Sequence, residues 1–127
     1  MRLLVLGAGL QGTACAFDLL NDPRVTQVLL ADLRVDSLPA FLHHAAPDRL
    51  VTLALDVRDE QAVRAAFARC DAVLSAIPYY FNGTLARLAV EAGVHFADLG
   101  GNTEIVQQQK QLDGAARAKG ISIIPDT

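Results

Sequence analysis

Three glycines near the amino terminus are spaced so that the main chain there could hold a phosphate group. Gly7, Gly9 and Gly12 follow an apolar run over residues 3–6 and form the pattern G-x-G-x-x-G. In this pattern the first glycine turns tightly off a strand, the second admits a pyrophosphate, and the third lets a helix pack closely. The helix start offers free N–H groups and a positive dipole end to the phosphate charge. The same turn adds Ala8, Leu10 and Gln11 to the predicted binding segment.

An acidic residue downstream makes this a predicted dinucleotide site. Asp32 follows the apolar run 28–31. It lies about twenty residues beyond Gly12, where a carboxylate accepts both ribose hydroxyls of the adenosine half. Its charge would repel a 2′-phosphate, so NAD is favoured over NADP. Arg34 keeps NADP open, because a guanidinium binds phosphate well. The alternative for Asp32 is a solvated turn residue or a helix cap.

Asp56 and Val57 close the next predicted strand. One interpretation is an adenine pocket, in which the carboxylate accepts from the exocyclic amine and Val57 packs on the ring. The other is that Asp56 caps the following helix, although Asp59 also fits that role. The two interpretations carry equal weight.

The segment 75–83 closes the fourth predicted strand. Ala76, Ile77 and Pro78 would line the wall beside the nicotinamide ribose, and Pro78 ends the strand because it cannot donate to the sheet. Next come Tyr79, Tyr80 and Asn82, which we interpret as substrate contacts at a ligand edge. Packing against another domain is the alternative for the tyrosines, and capping of the next helix is the alternative for Asn82.

Asp98 ends the fifth predicted strand, within the run His95-Phe-Ala-Asp-Leu-Gly-Gly-Asn. This carboxylate could reach the nicotinamide end and act as a general base, or hold a substrate ammonium. The alternative is a bond to the backbone amides of the turn over 99–101.

Apolar runs alternate with amphipathic segments along the whole chain, which is typical of parallel βαβ units. Strands are predicted over 2–6, 27–32, 50–55, 71–77, 94–98 and 121–124. Helices are predicted over 10–21, 36–46, 59–69, 82–92 and 103–119. Right-handed crossovers then give an α/β, doubly wound (Rossmann) sheet in the order 3-2-1-4-5-6, with helices on both faces. A ligand would bind where the order reverses, between the first and fourth strands.

Composition narrows the class of protein. The 127 residues carry a net charge of −3 and are 52% hydrophobic. This charge balance gives no reason to expect nucleic acid as a partner, because such binding needs a clustered basic face. No apolar stretch reaches the roughly 18 residues of a membrane span, and the first strand leaves no room for a signal peptide. We therefore expect a cytoplasmic domain. Cys15 and Cys70 are read as reduced thiols, His43 and His44 fall on a helix, and no metal-ligand spacing is present.

Together these segments resemble the amino-terminal cofactor domain of the saccharopine dehydrogenase-like family, and most of all its lysine 6-dehydrogenase-type members. The resemblance covers essentially the whole chain; its more particular motifs are 76–82 and the Asp98-Leu-Gly-Gly turn. It implies NAD(P)-linked oxidation or reduction at a carbon–nitrogen bond of an amino acid or amine. It also implies a second, substrate-binding domain, which this chain lacks, and a homodimer of the full-length protein.

A non-enzymatic interpretation remains. Nucleotide-sensing domains that regulate potassium transport share the glycine turn, the acid after the second strand and a similar length. Such a domain would have no evident use for the segments 77–80 and 98–101.

Overall fold

A computed structural model describes residues 1–127, with the side chains of residues 43 and 44 outside the description. The histidine side chains predicted on the second helix therefore lie outside the described residues. Six parallel strands form one sheet in the order β3-β2-β1-β4-β5-β6, which confirms the predicted doubly wound topology. The strands are β1 (Arg2–Leu6), β2 (Gln27–Asp32), β3 (Leu50–Ala54), β4 (Ala72–Ser75), β5 (His95–Asp98) and β6 (Ile123–Ile124).

Six helices connect these strands: α1 (Leu10–Asn21), α2 (Ala40–Ala45), α3 (Glu60–Phe67), α4 (Asn82–Ala92), α5 (Thr103–Lys110) and α6 (Asp113–Lys119). A 3₁₀ turn over Tyr79–Phe81 precedes α4. Within the described part of the chain, no helix is long and apolar enough to cross a membrane.

Two helix predictions need correction. The second helix begins at Ala40 and not at residue 36, because Pro39 disfavours helical geometry at the residue before it. The last predicted helix, 103–119, is two helices. At their junction the N–H groups of Gln111 and Leu112 bond to carbonyls three residues back, those of Gln108 and Gln109. This tightening of the backbone interrupts the α-helical pattern.

Alternate residues of the central strands face opposite layers, which is why these strands read as continuous apolar runs. On one face Val5 and Leu30 pack with residues of α1 and α2. On the other face Leu4 and Leu29 pack with α3 and α4, around the buried ring of Phe67. The central strands β1 and β2 are thus covered on both faces, whereas the edge strands β3 and β6 are partly exposed.

Arg49, just before β3, fixes the far end of α1. Its guanidinium donates to the carbonyls of Leu20 at 2.5 Å, Val25 at 2.7 Å and Asp22 at 3.3 Å. A cation at a helix carboxyl terminus is favourable, because the last carbonyls there carry partial negative charge. This contact sets the position of α1 relative to β3.

Candidate functional site: a dinucleotide crevice

The glycine turn is built by two close approaches of the backbone. Gly7 has a φ of +101°, and its N–H donates to the Ala31 carbonyl at 2.7 Å. A Cβ at Gly7 would lie 2.7 Å from the Ala76 carbonyl oxygen, and a Cβ at Gly12 would collide with the carbonyl oxygen of Gly7. Side chains are therefore excluded at both positions, and α1 starts directly against the ends of β1 and β4.

Gly9, the second glycine of the motif, faces open space. Gly9 is the N-cap of α1, and a Cβ built on it would meet nothing within 4 Å. The first turn of α1 carries no acidic residue, and Leu10 beside it is 90% exposed. Among the described residues, the first backbone amide of α1 that bonds to a carbonyl of the helix is that of Thr13, which donates to Gly9. The preceding amides and the positive end of the dipole thus suit a phosphate group.

Asp32 is the last residue of β2 and contacts the same turn. Its Oδ2 accepts from the Ala8 N–H at 2.7 Å, and its Oδ1 lies 3.4 Å from the Arg34 amide. The carboxylate is half-buried. One oxygen is thus held by the glycine turn, while the other has only a long contact and can accept from a hydroxyl group.

Gly7 and Asp32 border a crevice of about 330 Å³ at the carboxyl edge of the sheet, whereas the rest of the predicted turn, residues 8–12, is not part of its lining. Among the predicted cofactor residues it includes those from β1, β2, β3 and β4, namely Gly7, Asp32, Asp56, Val57, Ile77 and Pro78. It also includes residues that the sequence interpretation did not assign to the cofactor, namely Ala31, Leu33, Leu55, Arg58, Tyr80 and Phe81. Ala76 and Arg34 do not belong to this lining, but each is adjacent in sequence to a residue that does, Ile77 and Leu33.

Asp56 lies in the crevice and pairs with Arg58. The guanidinium donates from Nη2 to Oδ2 at 2.6 Å and from Nε to Oδ1 at 2.9 Å. These bonds lower the Asp56 pKa from 3.8 to about 2, so the group is ionised at neutral pH. The helix-cap role belongs to Asp59, which accepts from the amides of Gln61 and Ala62. The cap alternative for Asp56 is therefore wrong.

The residues predicted as substrate contacts separate into two environments. Tyr79 and Tyr80 are 43% and 60% exposed, and of the two only Tyr80 lines the crevice. Asn82 is 1% exposed, and its Oδ1 accepts from the buried Ser75 hydroxyl at 2.7 Å. Burial argues against a substrate contact at Asn82. Its capping alternative is also wrong, since Asn82 is already inside α4 and the N-cap is Phe81.

Asp98 ends β5 in an enclosed position. Its Oδ1 accepts from the Gly100 amide at 2.8 Å and from the Asp126 amide at 3.2 Å. Its Oδ2 accepts from Gln109 Nε2 at 2.8 Å, and the residue is 1% exposed. A carboxylate engaged on both oxygens and shielded from solvent is a poor general base. This arrangement argues against the predicted catalytic role and supports the alternative of bonding to the turn amides.

Two supporting residues, Arg58 and Gln109, were not assigned a role from the sequence. Arg58 stands two residues after Asp56, and the same spacing gives the same bidentate contact at Asp22 and Arg24, after α1. Gln109 carried no signal in the sequence, since it is one of three successive glutamines and its burial depends on how α5 packs. Both tyrosines of the turn were predicted as substrate contacts, and of the two only Tyr80 lines the crevice.

With this geometry established, comparison with known proteins identifies the family. The family model described as "Saccharopine dehydrogenase NADP binding domain" matches residues 3–124. The chain therefore belongs to the saccharopine dehydrogenase NADP-binding domain family. Saccharopine dehydrogenase [NADP(+), L-glutamate-forming] of Pyricularia oryzae is 30% identical over 125 residues, which are 96% of this chain and 26% of that protein.

Solved structures show the same fold. The apo saccharopine dehydrogenase (L-Glu forming) of Saccharomyces cerevisiae superposes with a TM-score of 0.76 at 22% identity, over 98% of this chain and 26% of that one. GenD2 from gentamicin A biosynthesis, in complex with NAD, superposes with a TM-score of 0.67 at 20% identity, over 98% and 34%. The chain thus spans about a quarter of the length of the saccharopine dehydrogenases that it matches.

Proposed function

We propose that this chain is the cofactor-binding part of an oxidoreductase that transfers a hydride between NAD(P) and the carbon–nitrogen bond of an amino acid or amine. The observation that carries the proposal is the bare amino terminus of α1, with open space in front of Gly9 and the Asp32 carboxylate beside it. Membership of the saccharopine dehydrogenase family supports the reaction class.

Each part of the crevice has a role in binding. The amides of the 7–12 turn would receive the pyrophosphate, and the free oxygen of Asp32 would accept from the adenosine ribose. Val57 and Asp56 would take the adenine, and Ala76–Pro78 would border the nicotinamide ribose. The bound cofactor would supply a hydride acceptor or donor at the nicotinamide ring. The protein orients that ring by holding the other end of the molecule at several fixed points.

For the choice of cofactor we propose NAD as the tighter ligand. Asp32 would repel a 2′-phosphate, and the nearby guanidinium of Arg58 is already neutralised by Asp56. Arg34 stands two residues beyond Asp32 and is the residue through which NADP, the cofactor in the family's description, would be accommodated. The relative affinity of the two cofactors therefore depends on Asp32 and Arg34 together.

We further propose that the substrate pocket belongs to a second domain of a longer, homodimeric protein. The matched relatives are about four times as long as this chain. The buried position of Asp98 supports this division, because it removes the one carboxylate predicted to act on the substrate. A cofactor domain alone cannot exclude water or orient a substrate, and a misplacement of 1 Å can cost on the order of 100-fold in rate. We expect cofactor binding from the 127 residues with little or no turnover.

The test is a fluorescence titration of the chain with NADH and with NADPH, repeated on Gly9→Ala. We expect both cofactors to bind, NADH more tightly. The added methyl group meets no protein atom but occupies the phosphate space, so Gly9→Ala should lose at least tenfold in affinity at unchanged melting temperature. No binding by the parent chain would refute the cofactor site. Tighter NADPH binding would reverse the cofactor preference, and robust dehydrogenase turnover would refute the need for a second domain.

A further inference from the structure

Tyr80 is an exposed aromatic residue at the mouth of the crevice. It is 60% exposed, and Leu33, which lines the same crevice, is 62% exposed. The two residues come from the segments that follow β4 and β2, so they approach the crevice from different parts of the sheet edge. Apolar side chains around a concave site with a few polar groups are typical of a ligand contact.

The backbone under Tyr80 is fixed at both ends. Before it, the Pro78 carbonyl accepts from the Phe81 amide at 3.1 Å, which closes the 3₁₀ turn. After it, the buried pair Ser75 and Asn82 ties the first turn of α4 to the end of β4. The Tyr80 position is therefore set by buried contacts, although its ring remains available.

Aromatic neighbours support the ring itself. The Phe81 ring lies 4.6 Å from the Tyr80 ring centroid at 48°, and Tyr79 lies 5.7 Å away at 77°. Phe81 packs against the buried cluster of the α3 and α4 face. The Tyr80 ring is thus supported by the core on one side and open on another.

The rest of the crevice selects a flat ligand with a hydrogen-bond donor at its edge. Leu55 and Val57 present apolar surface, and Asp56, whose two oxygens accept from Arg58, remains partly exposed and can accept from a ligand donor as well. A purine with an exocyclic amine has both properties. An aromatic ring at the same crevice adds a stacking surface, and such stacking is worth about 1–3 kcal/mol per base in nucleic-acid complexes.

We propose that Tyr80 positions the adenine of the dinucleotide by covering one face of the base. This inference rests on the proposed function and reassigns Tyr80 from substrate contact to cofactor binding. It makes affinity depend on Tyr80 through the adenosine half of the ligand, and it gives Tyr79, in the same turn but outside the crevice lining, no such role.

The chain carries its own reporter for this contact. It has no tryptophan and only two tyrosines, so its intrinsic emission comes from Tyr79 and Tyr80. In Tyr79→Phe the emission reports Tyr80 alone, and in Tyr80→Phe it reports Tyr79 alone. Titration with ADP-ribose, which carries the adenosine half without nicotinamide, should quench Tyr79→Phe at least twofold more than Tyr80→Phe. Equal quenching of the two variants would overturn the proposal, since ligand absorption is the same in both.

Calorimetry with the same probe gives an independent measure. Tyr80→Ala should weaken ADP-ribose binding about tenfold, within the range expected for loss of one stacked ring. Tyr80→Phe and the control Tyr79→Phe, which both keep their rings, should stay within twofold of the parent chain. If the parent binds ADP-ribose and Tyr80→Ala binds it equally well, the role of Tyr80 is refuted while the cofactor site stands. If the parent chain binds neither ADP-ribose nor NADH, the proposed function itself fails.

Discussion

Two carboxylates end parallel strands of the same sheet, yet their environments are opposite. Asp32 at the end of β2 is half-buried and has one strong partner, the Ala8 amide. Asp98 at the end of β5 is 1% exposed and accepts from Gly100, Asp126 and Gln109. The difference arises after the strands, because α5 and the segment after β6 close over Asp98, while no described residue closes over Asp32 in that way.

A carboxylate at the carboxyl edge of the sheet is therefore not a ligand site by its position alone. Asp32 keeps acceptor capacity and faces a crevice, so it can recognise a ligand. The capacity of Asp98 is used by the protein, so its role is to hold the Gly100–Gly101 turn, α5 and the carboxyl-terminal segment together. Substitutions of Asp98 and of Asp32 test this division of roles, and a pH titration tests the separate pair of Asp56 with Arg58.

The largest effect is expected from Asp98→Ala. The substitution leaves three donors without their acceptor, of which Gln109 is buried and Gly100 half-buried, and each such buried group costs roughly 1–3 kcal/mol. We expect the free energy of unfolding to fall by about 3 kcal/mol in a urea titration, with NADH affinity in the folded protein within twofold of the parent.

Asp98→Asn is the matched control for that variant. It keeps one carbonyl oxygen for the two amides, and rotation of the Gln109 amide would offer its Oε1, which lacks a partner among the described residues, to the new NH₂ group. The loss of stability should be about 1 kcal/mol. A large loss of cofactor affinity at unchanged stability in either variant would contradict the structural role.

A smaller effect, on cofactor affinity and not on stability, is expected from Asp32→Asn. The remaining amide oxygen can still accept from Ala8, so stability should change by less than about 1 kcal/mol. Loss of the charge and of one acceptor should weaken NADH binding about tenfold. NADPH affinity should fall less or rise, because the repulsion of the 2′-phosphate is removed. An unchanged ratio of the two affinities would show that Asp32 does not contact the ribose.

The smallest effect concerns the pH dependence of Asp56. Because its folded pKa lies near 2, below the ordinary 3.8, the pair with Arg58 stabilises the fold fully above pH 3.8. That stabilisation is lost as the pH falls through about 2. In a carboxyl-carbon NMR titration, Arg58→Gln should move the Asp56 pKa up toward 3.8. A pKa that stays near 2 would assign the shift to the backbone amide of Arg58 and not to the guanidinium.

Much of the fold was predictable because its signals are local. The strand runs, the glycine turn and the Asp59 cap each depend on a few neighbouring residues, and the predicted strand order is confirmed. The errors fall where local signals compete. Pro39 delays α2, and the apolar pattern over 103–119 continues across a junction at which the backbone tightens.

The site was less predictable, because burial is a property of the assembled edge. Asp98 and Asn82 have polar side chains at strand or helix ends, which is also what a ligand contact looks like in sequence. Only the packing shows that Asp98 is covered by α5 and that Asn82 is held by Ser75. The place of Leu33 and Tyr80 in the crevice lining was difficult to predict, because exposed apolar residues follow no periodic pattern in the sequence.

The Arg49 contact at the rear of α1 has an electrostatic consequence at its front. The guanidinium bonds to two carbonyls at the carboxyl end of this 12-residue helix, those of Leu20 and of the C-cap residue Asp22. It offsets the negative pole of the helix there, whereas the first turn at the positive pole near Gly9 carries no acidic residue. The pole that remains unopposed by residues of the helix itself lies at the glycine turn, next to the Asp32 carboxylate. An incoming anion therefore meets a short-range field there, in which the helix amides attract it and the neighbouring carboxylate repels it.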